Sequence, residues 1–168
     1  MVALAILLVV VGGGAVLLLT QDDDDDREAY VDAVTLILQH DSELSAAEAR
    51  CIADVAVDVG GDSLRDAVTP EEISEAPSRD LGDHGVRLDD QQGNEFFDGV
   101  GGCIDLRQLL LDGLAELGPG VSDCVDAALN DDLFRRVMVA SFVDGDNWQE
   151  SNPELAGEFE TTVGHCEP

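Results

Sequence analysis

The residues whose type and spacing most directly commit to chemistry are four cysteines, Cys51, Cys103, Cys124 and Cys166, separated by 52, 21 and 42 positions. Cysteine can hold a metal, attack a substrate or close a disulfide. A structural zinc site draws on ligand pairs a few residues apart. No such cysteine pair occurs, and the histidines, His40, His84 and His165, are scattered. His165 adjoins Cys166, but neighbouring side chains point apart on a helix. No metal site and no cofactor are therefore expected. A thiol nucleophile needs a base and an orienting group, and nothing singles these out. An even cysteine count behind an apolar N-terminal segment reads as two disulfides, formed outside the reducing cytoplasm.

The carboxylates offer a second chemistry. Asp89-Asp90, Asp131-Asp132 and Glu71-Glu72 are adjacent acids. Glycoside hydrolysis by a carboxylate pair needs one acid held protonated in a cleft, with aromatic rings for the sugar. A single Trp and a single Tyr are poor provision, so these acids read as solvated faces and helix caps. Asp144-Gly145-Asp146-Asn147-Trp148 lacks the alternating ligands and sixth-position glycine of a calcium loop and reads as a turn. Gly99, Gly101 and Gly102 follow no strand and precede no Lys-Ser/Thr, so they are no phosphate loop. They read as sites of close helix packing near Cys103. Trp148 reads as a core residue. No catalytic residue is assigned.

Charge excludes further classes. There are 37 acids against 8 bases, a formal net charge of −29. Such a surface repels nucleic acid and anionic lipid alike. Every base is arginine. A GC-rich genome is preferred over salt adaptation as the reason. Aromatic residues are few, so the core must be aliphatic, which favours packed helices.

The elements that would position these residues follow from the hydrophobic pattern. Residues 1–20 carry no charge, and Val2–Leu19 is an 18-residue apolar run broken only by Gly12-Gly13-Gly14. As a helix it would span about 27 Å, close to the thickness of a bilayer core. It is read as a single-pass transmembrane anchor or uncleaved signal, with residues 2–19 contacting the membrane. A cleaved signal, and hence secretion, is the alternative. The acidic run Asp22–Asp26 suggests an extended, solvated tether over residues 21–27.

Residues 28–168 are expected to form an acidic all-α domain. Tyr30, Val34, Ile37 and Leu38 recur at helical spacing over 28–39. Ser45-Ala46-Ala47-Glu48 is a capping box, and Gly60-Gly61 should stop the helix it opens. Asp62-Ser63 should cap a short helix, and Thr69-Pro70-Glu71-Glu72 starts another. Residues 76–93 read as a loop. Asn94 should cap a long helix running to about Leu117. Pro119, Asp131-Asp132 and Ser151-Asn152-Pro153-Glu154 open later helices. Little or no strand is expected.

A 73-residue shift carries Tyr30-Val31-Asp32 onto Cys103-Ile104-Asp105, Leu36 onto Leu109 and Cys51 onto Cys124. A 63-residue shift carries Glu95-Phe96 onto Glu158-Phe159 and Val100-x-x-Cys103 onto Val163-x-x-Cys166. Two related multi-helix repeats, about 30–102 and 103–166, are inferred. Their correspondence selects the pairing Cys51–Cys103 and Cys124–Cys166. The expected fold is thus a compact bundle of two repeats stapled by two disulfides behind a transmembrane helix.

The pattern Leu44-x6-Cys51, Gly60-Gly61-x2-Leu64, Val68-Thr69-Pro70-Glu71-Glu72-Ile73 and Val100-x2-Cys103 resembles small exported actinobacterial proteins of unknown function. The resemblance implies a helical, four-cysteine fold and an exported location, and transfers no activity. The expected role is a non-catalytic binding or envelope-interaction module, with an unidentified protein partner. A secreted carboxylate-pair hydrolase and a calcium-responsive structural module are the alternatives.

Overall fold

The computed structural model describes residues 5–11, 14–20, 23–40, 44–76, 81–115 and 120–166. Among the described residues, strand occurs in one place. β1 (Ala5–Val11) and β2 (Gly14–Thr20) form an antiparallel pair, with Ala5 opposite Thr20 and Val11 opposite Gly14. This pair stands where a single helix was expected within residues 1–20; beyond it, the expectation of little or no strand holds among the described residues. The physical reason is in the run itself. The two seven-residue strands are rich in branched aliphatic residues. The valines and isoleucine have higher strand than helix propensity. Among the described residues, no helix is long and apolar enough to cross a membrane.

From Asp23 onward all regular structure among the described residues is helical: α1 (Asp23–His40), α2 (Ala46–Ala67), α3 (Pro70–Glu75), α4 (Asp90–Gly101), α5 (Leu106–Ala115), α6 (Val121–Ala128), α7 (Asp131–Asp144), α8 (Trp148–Ser151) and α9 (Pro153–Val163). Short 3-10 turns occupy Gly145–Asn147 and Gly164–Cys166. The acidic tether is corrected: Asp23–Asp26 form the first turn of α1.

Local chemistry explains the boundaries. Ser45 accepts from the Glu48 amide and Glu48 accepts from the Ser45 amide, at 3.3 and 2.8 Å. Thr69 and Glu72 repeat this reciprocal cap on α3, with Pro70 at the first position. A third box, Asp89 with Gln92, opens α4, five residues before the expected Asn94 start. The Asp-x-x-Gln spacing was there to be read; the surrounding polar, aperiodic stretch concealed it. The long helix to Leu117 is also corrected. α4 ends at Gly101, and Asp105 accepts from the Gln108 amide at 2.9 Å to begin α5. Asn130, rather than Asp131-Asp132, caps α7 through the Leu133 amide. Gly61 (φ 47°, ψ −124°) interrupts α2 where the glycine pair suggested a stop. That left-handed φ suits glycine. Pro119 lies outside the described residues.

Two hydrophobic clusters meet along α2. One gathers Val31 and Val34 of α1, Ala53, Ala56, Val57 and Leu64 of α2, and Ile73 of α3. The other gathers Ile52 of α2, Val100 of α4, Leu106 of α5, Val125 of α6 and Leu133 and Phe134 of α7. Leu38 and Phe96 pack against both, so they bridge the clusters. The cores are largely aliphatic, as the composition requires. Trp148 is half-buried beside Phe159, with ring centroids 6.0 Å apart.

Two disulfides close the fold, Cys51–Cys103 and Cys124–Cys166. These are the pairs drawn from the internal correspondence. Each ties a cysteine inside a helix (α2 or α6) to one just beyond another (α4 or α9). Closing loops of 52 and 42 residues stabilises by about 4 kcal/mol each in the chain-entropy model. The 63-residue shift carries the first residue of α4 onto the first of α9. The halves differ elsewhere: the 73-residue shift carries the unbroken start of α2 across the α6–α7 junction at Leu129-Asn130.

Candidate functional site

The side chains that organise the surface are arginines, of which Arg27, Arg50, Arg107, Arg135 and Arg136 reach between helices of an otherwise acidic shell. Arg27 of α1 reaches Asp54 and Asp58 of α2 at 3.0 and 2.8 Å. Arg50 of α2 returns the pairing, to Asp32 of α1 at 2.8 Å and to Glu28. Arg107 of α5 donates to the Asp126 carboxylate at 2.7 Å and to the Asp126 and Leu129 carbonyls at 2.9 and 2.6 Å. It therefore satisfies backbone acceptors left free at the C-terminal end of α6. Its guanidinium also lies 5.8 Å from the Phe134 ring centroid.

Two adjacent arginines on α7 frame the larger depression. Arg135 grips Asp98 of α4 with both carboxylate oxygens engaged, at 2.5 and 2.9 Å, and stacks 4.8 Å from the Phe97 ring centroid. This guanidinium holds the Asp98 carboxyl below its usual range. Arg136 meets Glu158 of α9 at 2.9 Å. Beside them an open groove of about 740 Å³ runs between α4, α7 and the start of α9. Asp90, Asp132, Asp144 and Glu154 line it, with Val139 and Val143 as its apolar floor. Both lining arginines already have carboxylate partners, so the groove presents net negative charge.

α4 lies close to its neighbours because two of its residues lack a side chain. A Cβ on Gly93 would stand 2.6 Å from Val143 of α7, and one on Gly99 would stand 2.5 Å from Val55 of α2. Gly99 thus has the packing role expected of it. Gly101 faces open space and has none, and Gly93 was missed because a lone glycine in a polar stretch carries no periodic signal.

Carboxylates, two arginines and a few apolar side chains line the groove. Among the described residues no charged side chain is buried. The carboxylates with resolved shifts, Glu48, Glu72 and Asp98, are all lowered by hydrogen bonds to Ser45, Thr69 and Arg135 respectively. A general acid would need the opposite shift. Asp89 and Glu72 serve as parts of helix caps, and Asp131 and Asp132 lie in the first turn of α7. The Asp144–Trp148 segment is a helix-connecting turn, where the Asp144 carboxylate accepts from Asn152 at 2.7 Å.

The structure also brings together residues that adjacency seemed to separate. Cys124, His165 and Cys166 place their donor atoms within 4.8 Å of one another. His165 and Cys166 sit on the 3-10 turn Gly164–Cys166 that follows α9. No family model, no curated protein and no solved structure matches the chain, so a functional reading rests on its own residues.

Proposed function

We propose that this protein is an extracytoplasmic, membrane-associated binding module whose acidic groove between α4, α7 and α9 receives a cationic partner. The observation that carries the reading is the complete oxidation of the cysteines: both pairs are bonded and none is free. Stable disulfides belong to oxidising compartments. The uncharged residues 1–20 support attachment to a membrane, whatever conformation they take within it. A surface of net charge −29 favours positively charged partners and rejects anionic ones. Two exposed large apolar residues, Leu36 and Leu109, are 50 and 52% accessible. They occupy equivalent positions under the 73-residue shift and supply apolar contact points on both halves.

Two experiments test this. Intact mass of natively produced protein from membrane and medium, with and without thiol alkylation, should find oxidised chain in the membrane fraction. Alkylation of all four cysteines would end the extracytoplasmic reading. For the groove, binding of an arginine-rich peptide should fall more in Asp90→Asn/Glu154→Gln than in Asp62→Asn/Asp66→Asn, whose residues do not line it. The two variants lose equal charge, so equal losses of affinity would reduce the groove to general electrostatic attraction.

A further inference from the structure

Outside the groove, the densest set of donor atoms lies at the foot of α9. Cys124 Sγ, Cys166 Sγ and a ring nitrogen of His165 lie within 4.8 Å of one another, the one such group of three found among the described residues. Cys51 and Cys103 belong to none, so the two disulfides differ in kind. In the oxidised chain both sulfurs of the group are spent on each other.

We propose that the reduced chain holds one zinc ion through Cys124, Cys166 and His165, and that closure of the Cys124–Cys166 disulfide expels it. Two thiolates and one imidazole are a zinc donor set. Tetrahedral coordination with bonds of about 2.3 Å to sulfur and about 2.0 Å to nitrogen places the donors about 3.5–3.8 Å apart. The sulfurs, 2.03 Å apart in the disulfide, must part by about 1.7 Å, and the imidazole, within 4.8 Å, must close by about 1.3 Å at most. The donors sit where this is feasible: Cys124 is on α6, whereas His165 and Cys166 are on the short terminal turn. His165 is exposed and Cys166 is buried, so the ion would be reached from the histidine side, with water as fourth ligand. The acidic domain raises the local concentration of divalent cations.

The steps balance. A dithiol reductant passes two electrons and two protons to the cystine, giving two cysteine thiols and the reductant's own disulfide. Zinc then replaces the two thiol protons, forming two Zn–S bonds and one Zn–N bond. Oxidation by a disulfide-exchange partner removes two electrons from the thiolates, forms the S–S bond and frees Zn2+. Metal and disulfide thereby fasten the same two elements, α6 and the end of α9, in the reduced and oxidised chain respectively.

The test uses the full chain reduced with a phosphine, titrated with Zn2+ and with Co2+ as a spectroscopic substitute. One equivalent should bind, with tetrahedral visible bands and thiolate charge transfer for cobalt, and helicity should rise with zinc. Cys51→Ser/Cys103→Ser should keep this site. His165→Ala, which retains all four thiols, should bind at least about tenfold more weakly. Reoxidation should release the metal as the disulfide forms. Unchanged affinity in His165→Ala would overturn the proposal, as would absence of binding or a site that follows Cys51 and Cys103. Should the double serine variant fail to fold, the histidine variant and the release on reoxidation still decide.

Discussion

Gly99 of α4 lies so close to Val55 of α2 that a methyl group on it would stand 2.5 Å from Val55 Cγ1. Gly93, two turns earlier, meets Val143 of α7 in the same way at 2.6 Å. Valine cannot swing aside as a long side chain would, so the helices themselves would have to separate. Gly99→Ala and Gly93→Ala should each cost about 1–3 kcal/mol. Gly113 of α5 and Gly157 of α9 face open space, and alanine there should stabilise by about 0.5–1 kcal/mol through helix propensity. Urea denaturation of the four variants checks this; a uniform sign across the set would refute it.

Arg107 carries more than a surface ion pair. Its donors close on two backbone carbonyls of the α6 end as well as on Asp126 and Asp131. Its side chain is 26% exposed, so solvent screens it only in part. Arg107→Ala should cost about 2 kcal/mol, in the range of hydrogen bonds to charged groups. Arg107→Lys should recover less than half, because an ammonium cannot reproduce the planar fork. Full recovery by lysine in equilibrium unfolding would show that charge alone matters.

Tyr30 is buried and donates its hydroxyl to the Val68 carbonyl at 2.9 Å. Tyr30→Phe leaves that carbonyl unpaired and should cost about 1–2 kcal/mol at neutral pH. Burial raises the Tyr30 pKa above its ordinary value. A raised folded pKa means the stabilisation is fully present below the unfolded value near 10 and is lost as pH rises through the folded value. The alkaline fall in stability should therefore be shallower in the Phe variant, and parallel curves would count against the assignment.

Asp98 has the opposite sign. Its pKa is lowered by Arg135, so its contribution is present above the unfolded carboxylate range near 4 and is lost as pH falls below it. The stability gap between the native chain and Asp98→Asn should narrow from pH 6 to pH 2. A constant gap would show that the pair adds no proton-linked stability.

Salt sets the arginine clamps against the repulsion of the remaining acids. Each exposed pair contributes about 0–1 kcal/mol, whereas a net charge of −29 acts over the whole domain. Repulsion is the larger effect, and its screening shortens from about 10 Å at 0.1 M salt to about 3 Å at 1 M. The Tm should rise by roughly 5 °C or more between these concentrations, equivalent to about 1 kcal/mol or more. Calcium at matched ionic strength should add nothing beyond this if the acids bind no specific ion; a further saturable rise would favour the calcium-responsive alternative.

What the sequence determined by itself was local or statistical in origin. The helical class followed from an aliphatic core pattern, and the caps at Ser45 and Thr69 followed from side chains three residues apart. The cysteine pairing followed from an internal correspondence that needs no coordinates. Where local signals conflicted, they misled: Asp23–Asp26 looked like an extended tether, yet they fall within α1. The apolar run looked like one helix, yet Ala5–Val11 and Gly14–Thr20 form paired strands. Tertiary structure alone decided the rest. Val55 and Val143 gave Gly99 and Gly93 their meaning, and the free carbonyls of α6 gave Arg107 its role. Folding placed His165 within 4.8 Å of the Cys124 and Cys166 sulfurs. Each is a contact between elements distant in sequence, and such contacts leave no periodic trace in the order of residues.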